Sequence, residues 1–147
     1  MSSWTPPSNP SPAYQTLLGF AGAMKARDHT ALLASFDDSA IIEILPKSLG
    51  RPPMDKPTYA EYIKGNWGKF KSFDLTIETV IEAGSIFTVH AASKGEAVSG
   101  AAWANEYIII FQLTTPEAGG VPKIVSQKEF VDSAAMMKFI VEDAAKA

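Results

Sequence analysis

The chain has 147 residues, of which 46% are hydrophobic and 20% charged, and a formal net charge of -3. That reads as one domain with enough apolar residues for its own core. The lack of any basic run argues against nucleic acid as a partner. With no cysteine in the sequence, disulfides, thiolate metal sites and cysteine nucleophiles are excluded. No apolar run reaches bilayer-spanning length, so no membrane role is expected. The opening residues, MSSWTPPSNPSP, show neither the basic start nor the apolar stretch of a signal peptide, and a cytoplasmic protein is the expectation.

Residues 1–10, rich in Pro and Ser, read as a flexible arm ahead of a single domain over 11–147, with Trp4 the residue in that arm expected to dock. A first helix is expected over 11–26, with Tyr14, Leu17, Leu18, Ala21 and Met24 on one face. Asp28 caps a short helix over 29–36, and His29 beside the cap reads as exposed. A strand over 40–45 stops at Pro46, and the three prolines and one glycine of 47–57 make a loop. Thr58 and Glu61 form a capping box for a helix carrying Tyr59, Tyr62, Ile63, Asn66, Trp67 and Phe70 on one stripe.

Four strands then follow in series, over 73–82, 86–93, 103–114 and 121–131. Their turns fall at Gly84-Ser85, in 94–100 and in 116–120. Asp132 or Ser133 caps a closing helix. Segregated helices and strands give an α+β fold. A long antiparallel sheet with helices on one face must curl around them, and the concavity is the natural pocket.

The last two strands hold the chemistry. Alternation puts Trp103, Asn105, Tyr107, Ile109 and Phe111 on one face of the first, and Val125, Gln127, Glu129 and Val131 on one face of the second. An amide, a phenol and a carboxylate among large apolar groups suit a pocket for a mostly apolar small molecule. A carboxylate there has its pKa raised, which suits proton transfer near neutrality. A slip of one residue would instead turn Glu129 outward and Lys128 inward. Asn105 and Tyr107 can orient a carbonyl or donate to a developing enolate, and Tyr107 reads equally well as core. Trp103, Trp67 and Tyr62 surround the proposed cavity, although aromatic stripes at helical spacing are usually core. No metal-ligand motif and no phosphate-cradling glycine loop is present, so no metal and no cofactor are expected.

Three segments carry a resemblance: the ILP of residues 44–46 ahead of the Pro-rich loop and Tyr-rich helix, NEY at 105–107, and EFVDS at 129–133. With the element order, they resemble the SnoaL-like, nuclear transport factor 2-like superfamily, and within it the small proteins of fungal secondary metabolism that include meroterpenoid isomerases and cyclases. The resemblance implies a cone-shaped, curved antiparallel sheet wrapped around helices, of the cystatin-like roll type. It implies that His90 enters the cavity, at the position where epoxide hydrolases and scytalone dehydratase of this superfamily carry a polar residue, and that Glu129 matches a cavity-facing catalytic acid. A strand histidine bonded at the sheet rim is the other reading of His90. The general base of ketosteroid isomerases is absent from the first strand or displaced to Glu43, and Ala92 stands where the hydrolases have a second aspartate.

The expectation is therefore a cofactor-independent isomerase, cyclase or dehydratase acting on a polyketide- or terpenoid-like molecule, with Glu129 and His90 as an acid–base pair. The alternative is a binding or dimerisation module without chemistry. In either case the apolar back face, with Ile108 and Ile110, fits a homodimer through the sheet.

Overall fold

The structure is a computed structural model that describes residues 4–147; the first three residues of the expected arm lie outside the described residues. Trp4 packs against the main core cluster.

Helix α1 (Pro12–Ala26) is capped by Ser11, whose Oγ accepts from the Tyr14 amide at 3.1 Å, with proline in the first turn. Its buried stripe is Tyr14, Leu17, Phe20 and Ala23. Phe20 and Ala23 thus replace the expected Leu18 and Ala21, because Phe20 fits edge-on against Phe36 and Phe111. Asp28 caps α2 (His29–Ala34), accepting from the Ala31 amide. His29 is half-buried, not exposed, with Nε2 2.9 Å from the Ala60 carbonyl oxygen.

Helix α3 (Lys56–Gly68) begins earlier than the expected Thr58 capping box. Asp55 is the cap, accepting from the Thr58 amide at 2.9 Å, and Pro57 falls in the first turn, where a missing N–H is no loss. Phe70, assigned to this helix by spacing, opens a strand instead. Helix α4 (Ser133–Lys146) is capped by Asp132.

Six strands make one sheet in the order β2-β1-β6-β5-β4-β3. They are β1 (Phe36–Leu45), β2 (Met54–Asp55), β3 (Phe70–Ala83), β4 (Ile86–Ala97), β5 (Ala102–Leu113) and β6 (Ile124–Val131). Strand β1 starts four residues before the expected 40 and runs parallel to β6, so one pairing of an otherwise antiparallel sheet is parallel. Strand β4 continues to Ala97, through the residues expected to turn. Gly95 makes this possible: a Cβ there would lie 2.2 Å from the Ser72 carbonyl oxygen of the neighbouring strand.

Burial alternates strictly along the central strands. Phe87, Val89, Ala91 and Ser93 of β4 are buried, as are Asn105, Tyr107, Ile109 and Phe111 of β5. These residues face α1 and α3 and define the inner side of the sheet. Phe36, Phe87 and Phe111 are buried almost completely, each contributing about 2–3 kcal/mol of apolar burial. The outer side carries exposed Ile41, Ile108 and Phe130.

Asn105 fastens β5 to the junction of β6 and α4. Its Oδ1 accepts from the Glu106 amide at 2.8 Å and the Asp132 amide at 2.9 Å, while Nδ2 donates to the Asp132 carbonyl at 3.1 Å. Asn105→Leu removes these three bonds, leaving the Asp132 amide only its bond to the Glu106 carbonyl, and is expected to cost about 1 kcal/mol in urea denaturation.

Candidate active site

Between α1, α3 and the inner side of the sheet lies a cavity of about 60 Å³, walled by Phe20, Met24, Ile44, Tyr59, Tyr62, Ile63, Ile109 and others, with Tyr107, Gln127 and Glu129 among its polar members. An outer chamber of about 130 Å³ shares Tyr62, Asn66, Phe73, Tyr107 and Glu129 with it and opens past Arg51, Lys69, Trp103 and Phe139. Glu129 is the one carboxylate lining either space, so it stands where the two meet.

Strand register explains its position. Glu129 pairs with Ile109 of β5 on one side and Ile44 of β1 on the other, and both isoleucines are buried. The phase is therefore the one that puts Glu129 inward. Lys128 pairs with Ile110 and is exposed. Protein atoms surround the Glu129 carboxyl densely, yet it keeps part of its surface toward the cavity. Loss of hydration raises its pKa from 4.5 to about 7, a rise that the positive charge of Arg51 opposes. Arg51 comes from the Pro-rich loop and is itself exposed at the mouth, with Nη2 3.9 Å from the Met136 sulfur.

Tyr107 ends a short polar chain. Trp103 Nε1 donates to Ser93 Oγ at 2.8 Å, and Ser93 Oγ lies 2.7 Å from the Tyr107 hydroxyl. The indole is a donor only. Ser93 is buried and has these two side chains as its hydrogen-bond partners, and in the bond it shares with Tyr107 either hydroxyl can donate. With Ser93 as the donor, the Tyr107 O–H is left to donate toward the cavity its side chain lines. Burial, and then the negative charge of Glu129, push the pKa of Tyr107 up. The phenol thus holds its proton and serves as a hydrogen-bond donor.

The other expected site residues separate. His90 does not enter the cavity. It lies on the outer side of the sheet with Ile108 and Phe130, its side chain 36% exposed, and Nε2 is 2.6 Å from Glu106 Oε2. The cause is alternation: Phe87, Val89 and Ala91 take the inner positions of β4, and His90 falls between them. The expected pairing of His90 with Glu129 is thereby corrected. Asn105 faces inward but is fully occupied by backbone, and it does not line the cavity. Trp67 packs edge-on against His29, away from both chambers. Tyr62 lines both chambers, stacked 6.2 Å from Tyr59, and Trp103 lines the outer one, packed on Phe70 and Phe139.

Sequence reasoning missed Gln127, Tyr59 and Arg51 as site residues. Gln127 was on the right face by alternation with Glu129, whereas Arg51, in a loop without periodicity, gave no signal. Among the described residues no group of three or more His, Asp or Glu side chains gathers to hold a metal ion, and no helix is long and apolar enough to cross a membrane.

Comparison with known proteins adds the fold's relatives. No family model and no curated protein sequence matches the chain. Among solved structures, the chain is similar to the BvnE pinacolase from Penicillium brevicompactum, with a TM-score of 0.78, 24% identity and coverage of 91% of this chain and 95% of that one. It is similar to AusH from Aspergillus nidulans, at TM-score 0.70, 26% identity and 86% and 88% coverage. A nuclear transport factor 2-like protein of unknown function from Burkholderia pseudomallei aligns at TM-score 0.75, 18% identity and 89% and 98% coverage. The chain shares the α+β fold of these structures, that of a nuclear transport factor 2-like protein.

The raised pKa of Glu129 makes stability depend on pH. The folded state favours the neutral carboxyl, so its stability is greatest below the unfolded value of 4.5 and falls as pH rises toward about 7. Glu129→Gln lacks this penalty. Thermal melts are expected to show the variant gaining on the wild type between pH 4.5 and pH 7, with a constant gap above.

Proposed function

We propose that the protein is a cofactor-independent enzyme that moves a proton on a hydrophobic, polyketide- or terpenoid-like molecule of secondary metabolism, giving isomerisation, cyclisation or dehydration. The observation that carries this reading is one carboxyl group, Glu129, held in a largely apolar cavity with a pKa near neutrality, beside the protonated phenol of Tyr107. A group with a pKa close to the working pH is both a competent base and a competent acid. With His90 on the outer face, Glu129 performs both halves.

As carboxylate, Glu129 takes a proton from the carbon next to a substrate carbonyl. Tyr107 donates a hydrogen bond to the oxygen that becomes enolate, where a fixed donor in a dry site counts most. The protonated Glu129 then returns the proton to a different carbon, or to a departing hydroxyl, which gives isomer or dehydrated product. The aromatic walls hold the skeleton, and Arg51 at the mouth keeps the carboxyl from being locked in its neutral form. The fold is shared with a pinacolase from Penicillium brevicompactum, so it is one that carries enzymes.

A second copy of the chain seated on the outer side of the sheet belongs to the proposal. Ile108 and Phe130 lie exposed there beside the His90–Glu106 pair, with Ile41 of β1 exposed further along the same side. Light scattering is expected to give the dimer mass, and a monomer mass at working concentration would remove this part.

The chemistry is tested with a panel of polyketide and terpenoid ketones incubated in deuterium oxide and read by mass spectrometry. Wild type is expected to convert or deuterate at least one member. Glu129→Gln should lose about 10²–10⁴-fold in rate, Tyr107→Phe about 10–10³-fold, and His90→Gln little. Retained turnover in Glu129→Gln would refute the mechanism.

A further inference from the structure

The outer chamber carries more positive charge than the proposed reaction uses. The charged side chains lining it are Arg51, Lys69 and Glu129, two cations to one carboxyl in a chain whose formal net charge is -3. Both cations are exposed. Among the described residues the ion pairs are Lys56–Asp38, Lys71–Glu96 and His90–Glu106, so neither Arg51 nor Lys69 belongs to one. The Arg51 guanidinium meets only the weak acceptor Met136 Sδ, at 3.9 Å. Glu129 favours a cation at Arg51, and the dipole of α3 favours one at Lys69, just past that helix. Neither interaction neutralises the charge. The rest of the wall is largely apolar, with Phe73, Trp103, Val131 and Phe139. An apolar hollow rimmed by two unneutralised charges of one sign suits an amphipathic ion of the opposite sign. The body of such an ion leaves water, and its head is held by charge-assisted hydrogen bonds.

Taking this space to be the substrate site, we propose that the substrate is an organic acid, whose carboxylate Arg51 and Lys69 hold at the mouth while the hydrocarbon beside it enters the chamber. The chamber measures about 130 Å³, close to the ~150 Å³ that takes benzene, so about one ring of the skeleton occupies it. Arg51 can offer a carboxylate two parallel N–H groups, and Lys69 adds a point charge. The acid head then stays on the solvent side, and the reacting carbon points toward Glu129, where the outer chamber meets the inner one. A neutral or cationic skeleton of the same shape leaves both cations unmet. Lys69 on this account is a binding residue that takes no part in the proton transfer.

Three single-ring probes of nearly one shape test it: benzoate, benzamide and benzamidine, which are respectively anion, neutral and cation. Binding is followed at constant ionic strength and about pH 6, where Glu129 is largely neutral. The readout is the indole N–H resonance of Trp103, assigned with Trp103→Phe. Wild type is expected to bind benzoate about tenfold more tightly than benzamide, and benzamidine more weakly still. Lys69→Met and Arg51→Met should each lower that preference about threefold. The double variant should abolish it and bind benzamide as wild type does, whereas Lys69→Arg should keep it. In Glu129→Gln the preference should persist while turnover is lost, which separates this inference from the proton-transfer reading. Benzoate bound no more tightly than benzamide by wild type overturns the inference and leaves the reaction standing. A preference that survives in the double variant also overturns it. Turnover retained in Glu129→Gln with the preference intact removes the reaction and leaves the anion site. A Trp103 resonance that none of the three probes moves overturns the inference and the cavity reading together.

Discussion

A carboxyl group taken out of water is the constraint on which the site depends. Glu129 sits on β6 in the interior of the sheet, between a buried isoleucine on each neighbouring strand. Helices α1 and α3 cover the inner side and supply Phe20, Met24, Tyr59 and Tyr62 to the wall. The neutral form is thereby favoured, and the exposed cation of Arg51 pulls the other way. The balance of hydration lost and charge supplied brings the proton affinity of a glutamate close to that of a histidine. The curl of the sheet, the caps that start the helices and the phase of β6 all serve to keep water from one side chain while leaving it a cavity to face.

The inner face also holds other polar side chains, and their uses differ. Asn105 is bound entirely to backbone at the turn from β6 into α4 and is a structural pin. Ser93 links Trp103 to Tyr107, accepting from the indole and sharing a hydrogen bond with the phenol. Gln127 is buried, with its Oε1 lacking a hydrogen-bond partner among the described residues. Buried polar groups with complete partners rigidify a core. The proposed chemistry rests on the Glu129 carboxyl, with the Tyr107 phenol lining the same cavity.

Much of this was legible in the sequence, and the failures have physical causes. Alternation along KIVSQKEFV gives the inward phase of Glu129, because Val131, Gln127 and Glu129 cannot be separated in a strand of period two. The same rule, applied to IFTVHAAS, puts Phe87, Val89 and Ala91 together and His90 on the other side. Resemblance to enzymes with a polar residue on that strand suggested the opposite, and alternation prevails. Asn105 falls on the inner face as alternation requires, but sequence cannot show that the Glu106 and Asp132 backbone engages its amide in place of a substrate. The start of α3 was misplaced because Asp55 competes with Thr58 for the cap, and Asp55 with Pro57 behind it is the better start. Arg51 is a residue of a loop without periodicity, brought to the cavity mouth by the path of the chain between β1 and α3, and nothing local in the sequence marks it.

The central claim is that dehydration of a single carboxyl tunes the site, and it is measured directly by titrating that carboxyl. Carbon-13 NMR of protein labelled at the glutamate Cδ, with Glu129→Gln to assign the resonance, follows the ionisation of Glu129 alone. The account predicts a midpoint of about 7, moving upward when Arg51 is replaced by methionine. A midpoint near the ordinary carboxylate value of 4.5, indifferent to Arg51, would contradict it.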